Sequence, residues 1–311
     1  MRFLLFAILF LAWEASAFDV ASWRARRAAF SDEAREMRAA YSNVASRVSE
    51  SAERVNVPIE THADGSVKLL VTAERAQFLL KEDLVWAADV VVSQFDETAC
   101  EILRIEADRL LFSRENHHGW AEGRAKVTYG KSVFTGENVF FSTDDEYVLS
   151  LDASAFETRE LPQSAAASTN AFLRGESLAV SSRRCDMDRK SGVVLFEDAA
   201  RVDYRPDYTL VSDRVYAFFE GTNNLSRLVA EGGVSITNGL RRGTCARAVF
   251  SRASDEVVMT GSPDGRLARL CDETANEVAG RKITFFLKAE QVEIEDAELI
   301  VNKSGRSMKD L

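Results

Sequence analysis

The chain has 311 residues, 46% of them apolar and 28% charged, which describes a globular protein of about two domains at roughly 150 residues each. Its 39 basic and 49 acidic residues give a net charge of −10, which argues against nucleic-acid binding through phosphate neutralisation. Four Pro and 16 Gly exclude collagen-like and Pro-rich chains, three His disfavour a His-built metal cluster, and four Cys are too few for a disulfide-built scaffold.

Arg2 supplies a positive start, Phe3 to Trp13 is an unbroken apolar run, and Ala15-Ser16-Ala17 is a small-x-small cleavage pattern. Residues 1–17 therefore read as a secretory signal peptide cut after Ala17. The run is too short for the ~20 residues of a spanning helix, and a retained inner-membrane anchor is the less favoured alternative. No Cys follows the run, so a lipoprotein anchor is not indicated. The mature chain is expected to be exported, where its thiols can oxidise.

Residues 18–57 form a helical leader, with Asp19 to about Val55 free of Gly and Pro. Trp23, Phe30, Met37 and Val44 fall seven apart; Ala34, Tyr41, Val48 and Val55 make a second such series offset by four. Together they predict one apolar stripe. It serves either a coiled-coil or partner-docking helix, or a helix that lies on its own domain or projects as a mobile leader. Val57-Pro58 is expected to end it, since the residue before Pro avoids the α region.

From Pro58 short apolar runs alternate with Gly, Asp, Asn and Ser clusters, as in Val67-Lys68-Leu69-Leu70-Val71 and Lys282-Ile283-Thr284-Phe285-Phe286. This texture is all-β. Residues 161–170 are low in complexity and read as a linker. It would divide a first β domain, 58–160, from a second, 171–303, with a tail at 304–311.

A hexamer recurs seven times: a small residue, usually an acidic or polar one, then a strand with apolar residues at positions four and six. The copies start at Ala73, Ala107, Gly136, Gly175, Ser212, Cys245 and Gly280. Each is followed by a turn and a second strand, often with Gly or Asp before an apolar stretch, as in Trp86-Ala87-Ala88-Asp89-Val90 and Ala230-Glu231-Gly232-Gly233-Val234. A period near 35 residues means stacked two-strand units, each covering its neighbour. Strand alternation places positions four and six on one face. Those residues are Ala76, Phe78, Leu110, Phe112, Val139, Phe141, Leu178, Val180, Val215, Ala217, Ala248, Phe250, Ile283 and Phe285. They line either a β-sandwich core or a groove for a long apolar ligand, because both use the same side chains.

This ordered series resembles the OstA-like family, the LptA–LptC proteins of lipopolysaccharide export. The nearest likeness runs through Glu231-Gly232-Gly233-Val234-Ser235-Ile236, Cys245-Ala246-Arg247-Ala248-Val249-Phe250, Val257-Val258-Met259-Thr260-Gly261 and Gly280-Arg281-Lys282-Ile283-Thr284-Phe285. That half looks LptA-like, and residues 58–160 look LptC-type in length and position. The resemblance implies an elongated, open antiparallel β-jelly roll, here as two tandem units after an N-terminal helix. It implies a non-enzymatic periplasmic component, peripheral to membranes, that binds lipopolysaccharide or a related glycolipid by its acyl chains. It also implies partners of the same family, paired edge to edge. The helical leader stands where LptC carries a membrane helix.

Other chemistry is sparse. No GxSxG, CxxC, HExxH or P-loop pattern occurs. No catalytic residue, metal or cofactor is expected. His117-His118 reads as a solvated turn, and Asp144-Asp145-Glu146 offers too few ligands for Ca²⁺. Cys245 and Cys271 lie about one repeat apart and are candidates for a bridge between neighbouring strands, as Cys100 and Cys185 are for a clamp between halves. Arg75, Arg109, Arg214, Arg247 and Arg281 recur near the hexamer starts, either at the groove rim or on a solvated strand face. The competing readings are an exported structural protein that pairs edge to edge without lipid, and a polysaccharide-active β-solenoid, which the scattered acids disfavour.

Overall fold

The computed structural model describes residues 20–47, 52–130, 132–158, 178–204, 208–220, 224–239, 241–271, 276–286 and 291–302. The expected signal peptide, linker and tail lie outside these residues, as do Val48 and Gly175 to Ser177.

Helix α1 spans Val20–Ala45 and buries Trp23, Phe30, Ala34, Met37, Tyr41 and Val44, six members of the predicted stripe. It is shorter than the sequence suggested. Val55 and Val57-Pro58 belong to the first strand, β1 (Ala52–Thr61). The apolar spacing there serves an edge strand, where Pro is tolerated.

The strands follow in order: β2 (Val67–Leu79), β3 (Leu84–Phe95), β4 (Glu101–Ser113), β5 (His118–Tyr129), β6 (Ser132–Ser142) and β7 (Tyr147–Thr158). Then come β8 (Leu178–Ser182), β9 (Arg184–Asp188), β10 (Val193–Tyr204), β11 (Tyr208–Glu220), β12 (Asn224–Asn238) and β13 (Arg241–Ser251). The last are β14 (Glu256–Thr260), β15 (Ala268–Cys271), β16 (Asn276–Phe286) and β17 (Gln291–Asn302). All pair antiparallel with their sequence neighbours in a single sheet. β8 and β9 share one position between β7 and β10, and β14 and β15 share one between β13 and β16. At ~4.8 Å per strand, the stack is on the order of 65 Å long. It is the elongated antiparallel jelly roll that the resemblance implies. Hydrogen bonding runs on from β7 through β8 and β9 to β10, where the two-unit expectation placed its boundary.

Most long strands break register near their middle, for example between Ala107 and Arg109, Ala121 and Arg124, Glu197 and Ala200, and Glu231 and Val234. These are β-bulges, which bend a strand. Left-handed residues sit there: Arg54, Asp89, Gly123, Asn138, Asp198, Ala199, Gly232, Gly233 and Asp296. The small-acidic start of the hexamer and the Gly or Asp of the following strand are thus the two sides of one kink. Gly123 faces the Asp108 carboxylate, and Gly232 packs on that of Asp213.

The bend divides each long strand into two arms, so the sheet folds into two facing walls. Residues before the hexamer bulge, such as Val71, Ile105, Val127, Phe134, Phe156, Val202 and Leu210, line wall A. Hexamer positions four and six line wall B. One apolar cluster contains both. Rings meet across it: Phe156 lies 6.3 Å from Phe196, and Tyr204 lies 6.1 Å from Phe250.

α1 lies on the outside of wall B. Phe30, Ala34, Met37, Tyr41 and Val44 pack on Trp86, Leu111, Trp120, Phe140, Tyr147 and Leu149. Trp23 reaches Leu195 and Val193 on β10. The helix therefore lies on its own domain. Arg27 bonds Asp186 (3.0 Å) and Glu197, and the Tyr147 hydroxyl donates to Asp186 at 2.7 Å. Burial pulls the Arg27 pKa down, but Asp186 and Glu197 more than offset it. Burial and the Asp186 charge both hold the Tyr147 phenol protonated. No described helix is long and apolar enough to cross a membrane.

Two predictions follow from this packing. Phe30 stacks on Tyr147 at 4.1 Å and is 5% exposed, so Phe30→Ala should cost about 3–5 kcal/mol in urea unfolding. Gly232→Ala should destabilise more than Gly233→Ala. Both need positive φ, about 1–2 kcal/mol for a side chain, but only at Gly232 does the new methyl meet Asp213.

Candidate functional site

Directly opposed residues of an antiparallel ladder share a face, so the register traces what lines wall B. One row runs Ala76, Ala87, Leu110, Ala121, Val139, Ser150, Cys185, Phe196, Val215, Ala230, Ala248, Met259 and Ile283. The next runs Phe78, Val85, Phe112, Gly119, Phe141, Val148, Met187, Val194, Ala217, Leu228, Phe250, Val257 and Phe285. Twelve of the fourteen sequence candidates stand in these two rows.

The other two, Leu178 and Val180, are buried in the same interior but on wall A, opposite Tyr204 and Val202. The fourth hexamer is therefore out of register. The wall-B residues of that unit are Cys185 and Met187, reached after the break at Arg183. They were missed because neither Cys nor Met stands out at those positions. Phe78 also differs from the rest: it is 38% exposed, and among the described residues β1 covers wall B only at Ala52 and Glu53. Ile283 packs mainly in a smaller cluster with Met259, Ala268 and Ile294.

Packing varies along the stack. Near β4 to β6 the interior is tight, with Leu110, Val139 and Phe141 at most 2% exposed. The cavity between Val57, Val71 and Phe112 holds only about 10 Å³. Towards the C-terminal end two adjoining cavities of about 60 and 40 Å³ share Tyr208, Ile236 and Val257. Val202, Tyr204 and Leu210 face Leu228, Ala248 and Phe250 across the larger one. A third, of about 60 Å³, lies mid-stack between Phe134, Phe156, Met187, Val194 and Phe219. Each has room for a few waters, so a longer guest needs the walls to part. A larger hollow of about 600 Å³ along the kinks mixes charged residues, among them Asp89, Glu106, Arg124 and Glu137, with Val90, Ala107 and Ala125.

The recurrent arginines are outside the groove. Hexamer position three alternates with four, and Arg214 and Arg247 reach Glu231 at 3.9 and 3.5 Å, while Arg281 reaches Asp296 at 4.0 Å. The cations at the mouth are ones the sequence reading passed over. Arg189, on the wall-B rim, lies 3.6 Å over the Tyr129 ring on the wall-A rim. Arg241, on the wall-A rim, lies 5.4 Å over Phe285 on wall B. Both are cation–π contacts across the open side.

Asp144, Asp145 and Glu146 diverge to His117, to Arg26 and Lys190, and to Arg189. All four cysteines are free. Cys245 opposes Val234 and Cys271 opposes Arg242, so the register keeps them apart on their neighbouring strands. Burial, then the Asp186 charge, raises the Cys185 thiol, and burial pushes Cys245 up to about 12. Against the ordinary 9.0, that leaves about 10³-fold less thiolate at neutral pH. Iodoacetamide should therefore label exposed Cys100 first, Cys245 more slowly and Cys185 only on unfolding, read by peptide mass mapping.

Residues 179–291 match the family described as LptA/(LptD N-terminal domain) LPS transport protein. This stretch is similar to that family. It spans β8 to the start of β17 and contains all four segments on which the sequence resemblance rested. Among solved structures the chain is similar to LptH of Pseudomonas aeruginosa, described as the LptA-homologous periplasmic component of the lipopolysaccharide transport device. That match has 16% identity and a TM-score of 0.34, over 39% of this chain and 82% of that one. No curated protein matches the chain.

Proposed function

We propose that this protein is a periplasmic lipid carrier that receives lipopolysaccharide acyl chains between walls A and B and passes them towards the outer membrane. The observation that carries the reading is the pair of near-continuous apolar rows running the length of the sheet, with small apolar cavities mid-stack and towards the C-terminal end. The OstA-like match over 179–291 supports it, since that family is one of LPS transport proteins. Burial of each CH₂ contributes about 0.8 kcal/mol, so a ten-carbon stretch supplies about 8 kcal/mol before the costs of association and of parting the walls. Phosphorylated headgroups stay outside, where Arg189 and Arg241 stand at the mouth.

The two terminal strands suit the export-bridge part of the reading. β1 and β17 each have one strand partner among the described residues. An unpaired edge templates pairing with another strand. The partners proposed are other OstA-like domains, and export through a cleaved signal peptide completes the reading.

Native mass spectrometry of protein purified from a lipopolysaccharide-producing host tests this. The expected result is a discrete added mass equal to one glycolipid. Phe250→Asp and Phe285→Asp should each reduce that species at least ten-fold while leaving β-sheet circular dichroism unchanged. A protein that stays at its bare mass after mixing with lipopolysaccharide would overturn lipid carriage and favour edge-to-edge assembly alone. The tight interior around Leu110 and Val139 is the observation on the side of that second reading.

A further inference from the structure

Among the described residues, contacts from rim to rim close the open side of the folded sheet at three places. Two are the Arg189–Tyr129 and Arg241–Phe285 contacts. The third is at the N-terminal end and has different chemistry. Glu60, on the wall-A arm of β1, faces His117 in the β4–β5 turn on the opposite rim, and Asp144 in the β6–β7 turn lies beside it.

We propose that Glu60, His117 and Asp144 form a divalent-metal site of the zinc class that ties the two rims together. Nδ1 of His117 is 2.9 Å from Asp144 Oδ1 and 3.4 Å from Glu60 Oε1, and all three donor atoms lie within 4.8 Å of one another. Tetrahedral zinc with bonds of about 2.0–2.2 Å separates its ligand atoms by about 3.4 Å. The observed spacings bracket that value. One imidazole nitrogen and two carboxylates are a zinc donor set, with a fourth position left for water.

Charge points the same way. Two carboxylates converge on one nitrogen, which has at most one proton to share between them. Lys68 bonds the far oxygen of Glu60 at 2.7 Å and leaves Oε1 for the site. The imidazole is also held in place. Its ring stacks parallel to Phe112, with centroids 6.3 Å apart, and the His117 carbonyl accepts the Thr143 N–H at 3.1 Å. The second contact joins the turn that carries His117 to the turn that carries Asp144. Three ligands from three segments, two on one rim and one on the other, make the metal a cross-link. This inference is independent of the lipid reading.

Isothermal titration of the purified protein with zinc chloride, paired with hydrogen exchange, tests it. One zinc per chain is expected. Asp144→Asn, at a side chain 62% exposed, should weaken binding at least ten-fold with no change in unfolding midpoint without metal. His117→Ala should abolish it. Zinc should slow amide exchange in residues 52–61 at least three-fold in the wild type and leave it unchanged in Asp144→Asn. Three results would overturn the proposal: no zinc heat in the wild type, equal binding in His117→Ala, or binding without protection of β1.

Discussion

Everything in this molecule depends on strands that bend without losing their ladders. A flat antiparallel sheet of this length would leave both faces in water. The bulges let each long strand keep its hydrogen bonds on either side of a kink and turn one face inward on itself. Left-handed backbone at a residue with a side chain costs about 1–2 kcal/mol. Each kink brings at least two interior side chains under cover, at roughly 1.5–3 kcal/mol apiece for the larger ones. The balance favours bending, and Gly at positions 123, 232 and 233 lowers the local cost further.

Folding inward solves only half of the burial problem, because wall B is also apolar on its outside over part of its length. In the hexamers at Ala107 and Gly136, position five is Leu111 and Phe140, and both lie under α1. At Ala73, Cys245 and Gly280, position five is Gln77, Val249 and Thr284. Position five thus faces the outer side of wall B, and the helix covers it at Leu111 and Phe140. Asp186 interrupts that outer row where the helix crosses from β7 to β10. Its pairing with Arg27, Arg184 and Tyr147 converts a buried charge into a register mark for the helix. Removing one partner of such a group is far more damaging than its net contribution suggests.

Much of this was legible in the sequence because period and repeat are strong signals. The helix stripe named Trp23, Phe30, Ala34, Met37, Tyr41 and Val44, all of which are buried. Six of seven hexamers placed positions four and six on the inner face. The failure at Gly175 has a physical cause. In that unit the bulge is replaced by a break between β8 and β9, so a small-acidic pair no longer marks the kink. Leu178 and Val180 satisfy the pattern from the wrong wall. The end of the helix was misjudged because Ala, Glu, Arg, Ser and Val read equally well as helix or as the edge strand β1. The rim contacts were invisible, since Arg189 with Tyr129, or Glu60 with His117, are brought together only by folding the sheet in half.

The same geometry bears on how such a groove would move a guest. Almost every strand presents the wall-B interior with the same two positions, so an alkyl chain sliding along the stack exchanges one apolar neighbour for another at little net cost. A perfectly uniform groove would give no direction. This one is uneven: near β4 to β6 it is filled by its own Leu, Val and Phe side chains, while space remains mid-stack between Phe156 and Phe219 and again between Tyr204, Ile236 and Phe250. The stretch that matches the LPS transport family, two adjoining apolar cavities and the outer edge of β17, which has one strand partner among the described residues, fall together towards the C-terminal end. There a neighbouring domain added to the edge would extend the two rows without interrupting them.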